Sequence, residues 1–138
     1  MTTTAPAPAQ GARTPADLLA SVQELQPLLR ENSAANEAAG QLVPAVADAL
    51  HEHGFFGMWT PKELGGTELD PMTSLKVVQG LAEADPSTAW VTMAASLATG
   101  TGGAYLQDEA VAAMFQGPRF PVVAGPGGPR RRRLPALR

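Results

Sequence analysis

The stretch that decides the fold is Leu81–Trp90, which reads LAEADPSTAW. An Asp–Pro pair divides it, and an aspartate side chain can accept hydrogen bonds from the free N–H groups that open a helix. Proline suits the first helical position because its missing N–H needs no partner there. The same pair occurs at Asp70–Pro71. Two helices are therefore predicted, one from Pro71 and one from Pro86.

Two further helices are predicted before this stretch and one after it. The first begins at Thr14, a capping residue followed by proline, and ends at Gly40. Pro27 lies within it and either kinks one long helix or starts a second, because proline lacks the N–H that an interior turn needs. The next helix spans Val43–His53 and is stopped by the glycine after it, and a short last helix spans Asp108–Phe115.

Apolar residues at helical spacing predict the faces that these helices bury. On the first helix they are Leu18, Val22, Leu25 and Leu29. On the helix that begins at Pro71 they are Leu75, Val78 and Ala82, and on the next helix they are Trp90, Met93 and Leu97. Three glycines are predicted to end this last helix, namely Gly100, Gly102 and Gly103. Together the helices have more apolar faces than a unit of this size can cover by itself.

The segment Phe55–Asp70 mixes bulky apolar residues with glycine and proline. This composition predicts a long ordered loop whose aromatic side chains pack on the helices. No segment before Gln116 alternates apolar and polar residues as a strand does. The fold is therefore expected to be all-α, with the helical domain spanning residues 14–118.

The two ends of the chain differ from this domain in composition. Residues 1–13 are small, polar and rich in proline, which predicts a disordered leader. Residues 1–118 contain four basic and thirteen acidic residues, a net charge of −9, whereas residues 119–138 contain six arginines and no acid. The Arg130–Arg133 cluster would attract nucleic acid at low salt. No aromatic residue lies among these arginines to stack a base, so no specific nucleic-acid site is predicted.

Several kinds of site and compartment are not expected. Cysteine is absent, which excludes disulfides, thiolate metal ligands and a cysteine nucleophile. No apolar run is long enough for a membrane helix, and the N-terminus lacks the pattern of a secretory signal, so a soluble cytoplasmic protein is expected. His51 and His53 point to different sides of a helix, which argues against a shared metal ion. The acidic residues interpreted as capping or loop groups are Glu63, Glu68, Asp70, Glu83 and Asp85.

Four motifs in order give the chain a family resemblance. They are His53–Phe56 (HGFF), Pro61–Gly66 (PKELGG), Asp70–Pro71 and Leu81–Trp90. The series resembles the acyl-CoA dehydrogenase superfamily over residues 14–125. Within it, DPSTAW is similar to the flavin-dependent monooxygenase branch, the hydroxylases of the 4-hydroxyphenylacetate and dibenzothiophene desulfurisation type. No single motif is specific, and their order and spacing carry the resemblance.

The resemblance implies an oxidoreductase for a small-molecule substrate, with an N-terminal helical domain, a middle β-barrel and a C-terminal four-helix domain, assembled as a tetramer. FAD or FMN lies between the second and third domains of such proteins, so this chain is expected to bind no flavin and to be inactive alone. No catalytic or cofactor-binding residue is assigned. The resemblance places Trp90, Met93 and Ser96 on a substrate-cavity wall, although an apolar stripe at helical spacing is more often core.

Residues 119–138 are expected to begin the barrel and then depart from it. Val122–Gly125 fits the barrel entry of the family, whereas Pro126–Arg138 does not. Arg130–Arg138 can be encoded so that the reading frame one base later gives Val-Asp-Gly-Gly-Tyr-Arg-Leu-Ser-Gly, a turn and strand of the kind that the barrel needs. This observation favours a frameshifted or truncated gene product over a genuine basic tail.

Two other functions stay open on the sequence alone. The chain could be a non-enzymatic helical module that docks on intact homologues through an uncovered apolar face, or a nucleic-acid binder that uses the arginine tail. A flavin spectrum would favour the enzyme, and co-purification with a larger homologue would favour the module. Binding that is lost on removal of residues 126–138 would favour the nucleic-acid binder.

Overall fold

The computed structural model describes residues 13–123, which form five α-helices. These are α1 (Pro15–Ala39), α2 (Pro44–Glu52), α3 (Pro71–Ala84), α4 (Pro86–Tyr105) and α5 (Asp108–Met114). Two short 3₁₀ turns, Phe55–Gly57 and Lys62–Leu64, lie in the loop between α2 and α3. No residue from 13 to 123 is in a strand, which confirms the all-α prediction for this part of the chain. The arginine tail and the predicted leader, apart from Arg13, lie outside the described residues.

The helices begin at the predicted capping residues. The Thr14 hydroxyl accepts a hydrogen bond from the Asp17 N–H at 3.1 Å, and the Asp17 carboxylate accepts one from the Thr14 N–H at 2.8 Å. Asp70 accepts bonds from the N–H groups of Met72 and Thr73. These bonds satisfy N–H groups that have no partner inside the helix, and a proline follows each cap. The predicted starts of α1, α3 and α4 are confirmed.

The first helix is continuous through its internal proline. α1 has 25 residues and contains Pro27, so of the two alternatives a second helix start is excluded. The predicted apolar face of α1 is buried in full: Leu18, Val22, Leu25 and Leu29. Burial of each such side chain contributes about 1.5–3 kcal/mol, which offsets the cost of about 3 kcal/mol for a proline inside a helix. The helix ends where predicted, at Gly40, whose φ of 64° is left-handed.

The predicted end of α4 is wrong. Gly100, Gly102 and Gly103 do not stop the helix, which continues to Tyr105. A Cβ atom at Gly100 would lie 2.7 Å from the Trp59 carbonyl oxygen, so the missing side chain allows the loop to approach the helix closely. Glycine serves packing here rather than helix termination. Neither α4 nor any other helix within residues 13–123 is both long and apolar enough to cross a membrane.

The predicted buried face of α3 is only partly correct, because Val78 and Ala82 are half-buried against the core but Leu75 is not. The residues of α3 that are buried are Ser74, Val77, Gly80 and Leu81. Leu75, from the predicted face, is 59% exposed. A Cβ atom at Gly80 would lie 2.4 Å from the Val22 side chain, which shows how closely α1 and α3 approach. The close approach on the glycine side turns Leu75 outward.

The loop before α3 is ordered and packed, as predicted. Phe55, Phe56 and Met58 are buried and join the cluster formed by the apolar residues of α1, α2 and α3. Within the loop, the Leu69 N–H donates to the Met58 carbonyl at 2.8 Å. The loop therefore contributes to the core and supplies a firm support for α4, which packs on its first 3₁₀ turn.

Candidate functional site

The two sides of α4 differ in chemistry. The buried side consists of small residues, most of them with hydroxyl groups: Thr88, Ala89, Thr92, Ala95, Ser96, Thr99 and Gly100. The opposite side carries Trp90 and Leu97, which are 67% and 57% exposed, so the buried face predicted for this helix is wrong at both residues. A surface helix usually shows the reverse arrangement, with its large apolar residues inside. The outward apolar side of α4 is therefore the first candidate for a functional surface.

The buried hydroxyl groups of α4 bind partners within the fold. Thr88 Oγ1 donates to the Asp85 carboxylate at 2.6 Å, and Thr92 Oγ1 donates to the Thr88 carbonyl at 2.8 Å. Ser96 Oγ donates to the Phe55 carbonyl at 2.9 Å, which ties the helix to the loop below it. Because these hydroxyl protons are engaged, the inner side of α4 packs as a core and is not arranged for chemistry.

Asp85 fixes the place where α4 begins. Its carboxylate is 2% exposed and accepts bonds from two side chains of α1, Ser33 at 3.0 Å and Asn36 at 3.2 Å. It also accepts the N–H and hydroxyl bonds of Thr88 in the first turn of α4. Asn36 in turn accepts a bond from the N–H of Val43, the residue before α2. One buried carboxylate and one amide therefore connect the ends of four helices.

The Asp85 carboxyl is a charged acceptor rather than a catalytic acid. Burial opposes its ionisation, but hydrogen bonds from Thr88, Asn36 and Ser33 outweigh that effect and hold its pKa below the usual 3.8. A general acid needs a proton to give near neutral pH, and this group has none. Its role is to position α4 and, with it, Trp90.

The outward side of α4, together with Ala95 at the edge of the buried side, forms one wall of a cavity of about 290 Å³. This Trp90 cavity is lined by Trp90, Val91, Ala94, Ala95, Ala98, Val122 and Val123. None of the seven lining residues has a charged side chain, and Trp90 alone among them has a polar side-chain atom. Such a lining can hold an apolar group and exclude water, but it offers no nucleophile, acid or base.

A second cavity, of about 400 Å³, lies between α3, α4 and the loop before α3. This Trp59 cavity is lined by Trp59, Leu69, Pro71, Ser74, Leu75, Val78 and Met93. Trp59 Nε1 donates to Ser74 Oγ at 2.6 Å, and that hydroxyl donates to the Asp70 carbonyl at 2.8 Å. Both donors are therefore engaged, and the surface that faces the cavity is mainly apolar.

The three residues predicted for a substrate wall lie in different places. Trp90 lines the Trp90 cavity, whereas Met93 lines the Trp59 cavity. Ser96 is fully buried, with its hydroxyl on the Phe55 carbonyl. The sequence pattern did not reveal Val122 and Val123, because they belong to a segment without periodicity that only the tertiary fold brings to α4.

The two histidines of α2 and its cap have separate surroundings. His51 packs on Phe56, with ring centroids 4.6 Å apart, and burial lowers its pKa. His53 Nδ1 is 2.8 Å from Ser21 Oγ of α1. In the part of the chain from 13 to 123, no group of three or more histidine and acidic side chains is arranged to hold a metal ion. His51 therefore packs on the loop, and His53 contacts α1 through Ser21.

Of the five acidic residues interpreted as capping or loop groups, four lie at helix caps or in the loop before α3. Glu83 does not, because it lies inside α3. Asp70 and Asp85 cap α3 and α4. Glu68 accepts a bond from the Lys62 N–H within the loop, and Glu83 accepts one from a glutamine side chain on the preceding turn of α3. Hydrogen bonds from Thr73 lower the pKa of Asp70, as expected of a capping carboxylate.

The residues that build both cavities fall almost entirely inside a family match. A family model for the acyl-CoA dehydrogenase N-terminal domain matches residues 20–113, more than half of the chain. This region runs from the first turns of α1 to the end of α5 and contains the whole of α3 and α4. Val122 and Val123 lie beyond it.

Two relatives are oxygenase subunits. The flavin-dependent monooxygenase, oxygenase subunit HsaA, of Mycobacterium tuberculosis is 32% identical over 74 residues, which make up 54% of this chain and 19% of that protein. HsaA of Rhodococcus jostii is 36% identical over 67 residues, 49% of this chain and 18% of that protein. The matched part thus spans about a fifth of the length of these relatives.

A solved structure agrees with the sequence matches. The crystal structure of the HsaA monooxygenase from M. tuberculosis superposes with a TM-score of 0.69 and 26% sequence identity. The match covers 75% of this chain and 27% of that structure. Fold and sequence therefore point to the same group of proteins.

Proposed function

The chain belongs to the acyl-CoA dehydrogenase N-terminal domain family, and on this basis we propose that it forms the N-terminal helical domain of a flavin-dependent oxidoreductase. Its relatives are oxygenase subunits of flavin-dependent monooxygenases, which supports a parent of the hydroxylase type rather than a dehydrogenase. In this proposal residues 14–118 are the helical domain, and residues 119–138 begin the next one and then run into an aberrant basic tail.

The observation that carries the proposal is the outward apolar side of α4. Trp90 is 67% exposed, although the helix that bears it is held in place by a buried network at Asp85. Exposure of a large ring to water is unfavourable, so a fold that fixes it there has a use for it. We assign Trp90 to the wall of a substrate cavity that further parts of the parent complete, with Met93 on the neighbouring flank and Ser96 supporting the helix from inside.

The Trp90 cavity does not fit a complete flavin cofactor. A flavin presents a phosphate or pyrophosphate and the polar edge of its ring, which need hydrogen-bond donors or positive charge. The lining of the Trp90 cavity contains no charged side chain and only the Trp90 N–H as a polar side-chain atom. We therefore propose that FAD or FMN is held by other parts of the parent, and that this chain alone binds none and is inactive.

In this proposal the domain contributes an apolar wall of the substrate cavity, from which water is excluded. Small residues at Ala94 and Ala98 leave room beside Trp90, and the two valines of the lining keep the space apolar. Excluding water from a reacting centre strengthens the polar interactions made there by other groups. A small-molecule substrate with an apolar portion suits this surface, and the family resemblance supports a tetrameric parent.

A chimera tests the proposal. Residues 14–118 replace the matching region of M. tuberculosis HsaA, and flavin binding and oxygenase activity are measured with reduced flavin supplied. We expect an assembled, active chimera in which Trp90→Ala lowers activity. Tyr105→Ala, which removes an aromatic side chain that is 84% exposed on the same helix, is the matched control and should leave activity unchanged.

Each failure of the chimera has its own meaning. A chimera that folds but does not assemble or bind flavin would overturn the domain assignment. An active chimera that is equally active with Trp90→Ala would overturn the assignment of Trp90 to the cavity wall. Separately, absorbance of bound flavin after the purified chain is mixed with FAD or FMN would contradict the proposal that this chain binds none.

One observation favours a second candidate, a module that docks on intact homologues. Exposed apolar side chains are not confined to the Trp90 cavity, since Met72 and Leu75 of α3 are 63% and 59% exposed. A protein surface of this kind is suited to association. Stable co-purification of the chain with a full-length relative, without restored activity, would favour the module over the enzyme domain.

A further inference from the structure

The segment Gln116–Val123 follows α5 and runs back across the fold to α4. It is neither helix nor strand, yet successive residues in it contact three different parts of the fold. Arg119 donates to the Asp48 carboxylate of α2 at 2.8 Å. Thr99 of α4 donates to the Pro121 carbonyl at 3.1 Å. Segments of irregular structure stay in one place only where such contacts hold them.

Phe120 makes the strongest of these contacts. Its side chain is 9% exposed, in a segment whose other residues are half-buried or exposed. The ring lies against Gly57 in the first 3₁₀ turn, where a Cβ atom would meet it at 3.0 Å. Phe115 meets the ring edge to face, with centroids 5.7 Å apart and an angle of 80°. A glycine at position 57 leaves the space that the ring fills, and the aromatic pair adds about 0.5–1.5 kcal/mol.

The salt bridge beside the Phe120 ring stabilises the segment less than burial of the ring does. The Arg119 and Asp48 side chains are 48% and 54% exposed, and ion pairs of this kind contribute about 0–1 kcal/mol. Burial of a phenylalanine contributes about 1.5–3 kcal/mol. The position of the segment therefore depends first on Phe120 and only second on the charges.

The next residues after this anchor reach the Trp90 cavity. Val122 and Val123 line it together with residues of α4, among them Trp90 and Ala94. We propose that Phe120 is a positioning residue, which anchors the segment in the notch at Gly57 and thereby holds Val122 and Val123 as the second wall of the Trp90 cavity. The anchor is a property of this fold, and only its importance for ligand binding rests on the proposed function.

A contact-quenching experiment on the full chain tests the anchor without any flavin. The chain contains no cysteine, so Val123→Cys provides a single site for a nitroxide label. With Trp59→Phe, Trp90 is the only tryptophan, and its fluorescence reports on a nearby nitroxide. Strong quenching is expected while Phe120 is present, and Phe120→Ala should abolish most of it. Far-UV circular dichroism of each variant shows that the helices are intact.

A control, Tyr105→Ala, and a second variant, Phe120→Leu, allow each outcome to support or overturn the role of Phe120. Tyr105→Ala removes an aromatic side chain that is 84% exposed instead of one that is buried, so quenching should persist. If Phe120→Ala unfolds the chain, Phe120→Leu takes its place and should reduce quenching in part. Equal quenching in the parent and in a folded Phe120 variant would overturn the proposal, as would weak quenching in the parent. None of these results bears on the chimera test of the proposed function.

Discussion

The composition of α4 is the reverse of that of most surface helices, which have large apolar residues inside and polar residues outside. The inner side is built from threonine, serine, alanine and glycine, and the donors of Thr92 and Ser96 bind carbonyl groups inside the fold. The outer side carries the larger apolar residues, with Trp90 and Leu97 mostly exposed. Small residues inside allow the helix to lie close to the loop and to α3. The larger ones outside are left for another surface to cover.

The difference separates two free energies: burial of the inner side stabilises the fold of this domain, and burial of the outer side would stabilise its association with another surface. Apolar burial contributes about 25 cal/mol per Å² removed from water, so the inner side stabilises the fold at once. The outer side gains nothing until something covers Trp90. Mutations on the inner side should therefore change the stability of the chain, and mutations on the outer side should change what the chain binds.

The largest expected change in stability comes from removing a buried aromatic side chain, compared with removing an exposed one. Phe55→Ala removes a fully buried ring whose own carbonyl accepts the Ser96 bond, and it should cost about 3–5 kcal/mol. Trp90→Ala removes an even larger ring from the outer side and should cost about 0.5 kcal/mol or less. Urea unfolding followed by circular dichroism measures both. Equal costs would show that Trp90 is as buried as Phe55, which would contradict the exposed outer side of α4.

The second largest change in stability is expected from removing a buried helix-capping carboxylate, compared with removing an exposed one. Asp85→Ala leaves the Ser33, Asn36 and Thr88 donors without their acceptor and should cost about 3 kcal/mol. Asp70→Ala removes an exposed cap from α3 and should cost clearly less, since water can replace the carboxylate. Comparable losses in urea unfolding would show that the network around Asp85 adds nothing to a simple cap.

The same carboxylate predicts a dependence of stability on acid. The pKa of Asp85 in the folded chain lies below the 3.8 of an unperturbed carboxyl, so the unfolded chain binds its proton more readily. Its contribution is complete above pH 3.8 and is lost as the pH falls through the folded pKa. Free energies of unfolding measured across this range should fall less steeply for Asp85→Asn than for the parent. Identical slopes would contradict the shift.

Local signals predicted the helix ends well where capping chemistry is involved. Thr14, Asp70 and Asp85 each precede a proline, and each accepts bonds from the first turn as its sequence context indicates. Such contacts involve residues two or three positions apart, so the sequence contains nearly all of the information. The family resemblance drawn from motifs between His53 and Trp90 is likewise matched by the comparisons.

Burial was predicted less well, because it depends on how closely helices approach. The sequence predicts a helix end at Gly100 and assigns no role to Gly80, but each marks a place where another chain segment lies against the helix. Those approaches turn Leu75 outward and leave Trp90 exposed. The second wall at Val123 depends on the Phe120 anchor, a contact between distant parts of the chain that no local pattern signals.

A smaller effect is expected from one inner hydroxyl. Ser96→Ala removes the donor to the Phe55 carbonyl, a bond that is 2.9 Å long and buried, and should cost about 1–2 kcal/mol. Ala94→Ser adds a hydroxyl on the outer side, where water can solvate it, and should change stability by about 0.5 kcal/mol or less. Thermal unfolding of the two variants gives the comparison. A stabilised Ser96→Ala would mean that the inner side gains nothing from its hydrogen bonds.

The smallest expected change in stability belongs to a test of Trp90 itself. Two single-tryptophan variants, Trp59→Phe and Trp90→Phe, separate the emission of the two indoles. Trp59 is half-buried and donates to Ser74, whereas Trp90 is 67% exposed, so Trp90 should emit at longer wavelength and be quenched more strongly by acrylamide. A phenylalanine keeps most of the apolar surface, and Trp90→Phe should therefore leave the unfolding free energy nearly unchanged.

Blue-shifted emission from a Trp90 that acrylamide does not quench, measured on the chain alone, would have two possible explanations. If Trp90→Ala then also destabilises the chain strongly, the ring is part of the core and the cavity wall loses its main residue. If Trp90→Ala costs little, the ring is covered by another copy of the chain, and dilution should restore the red-shifted emission.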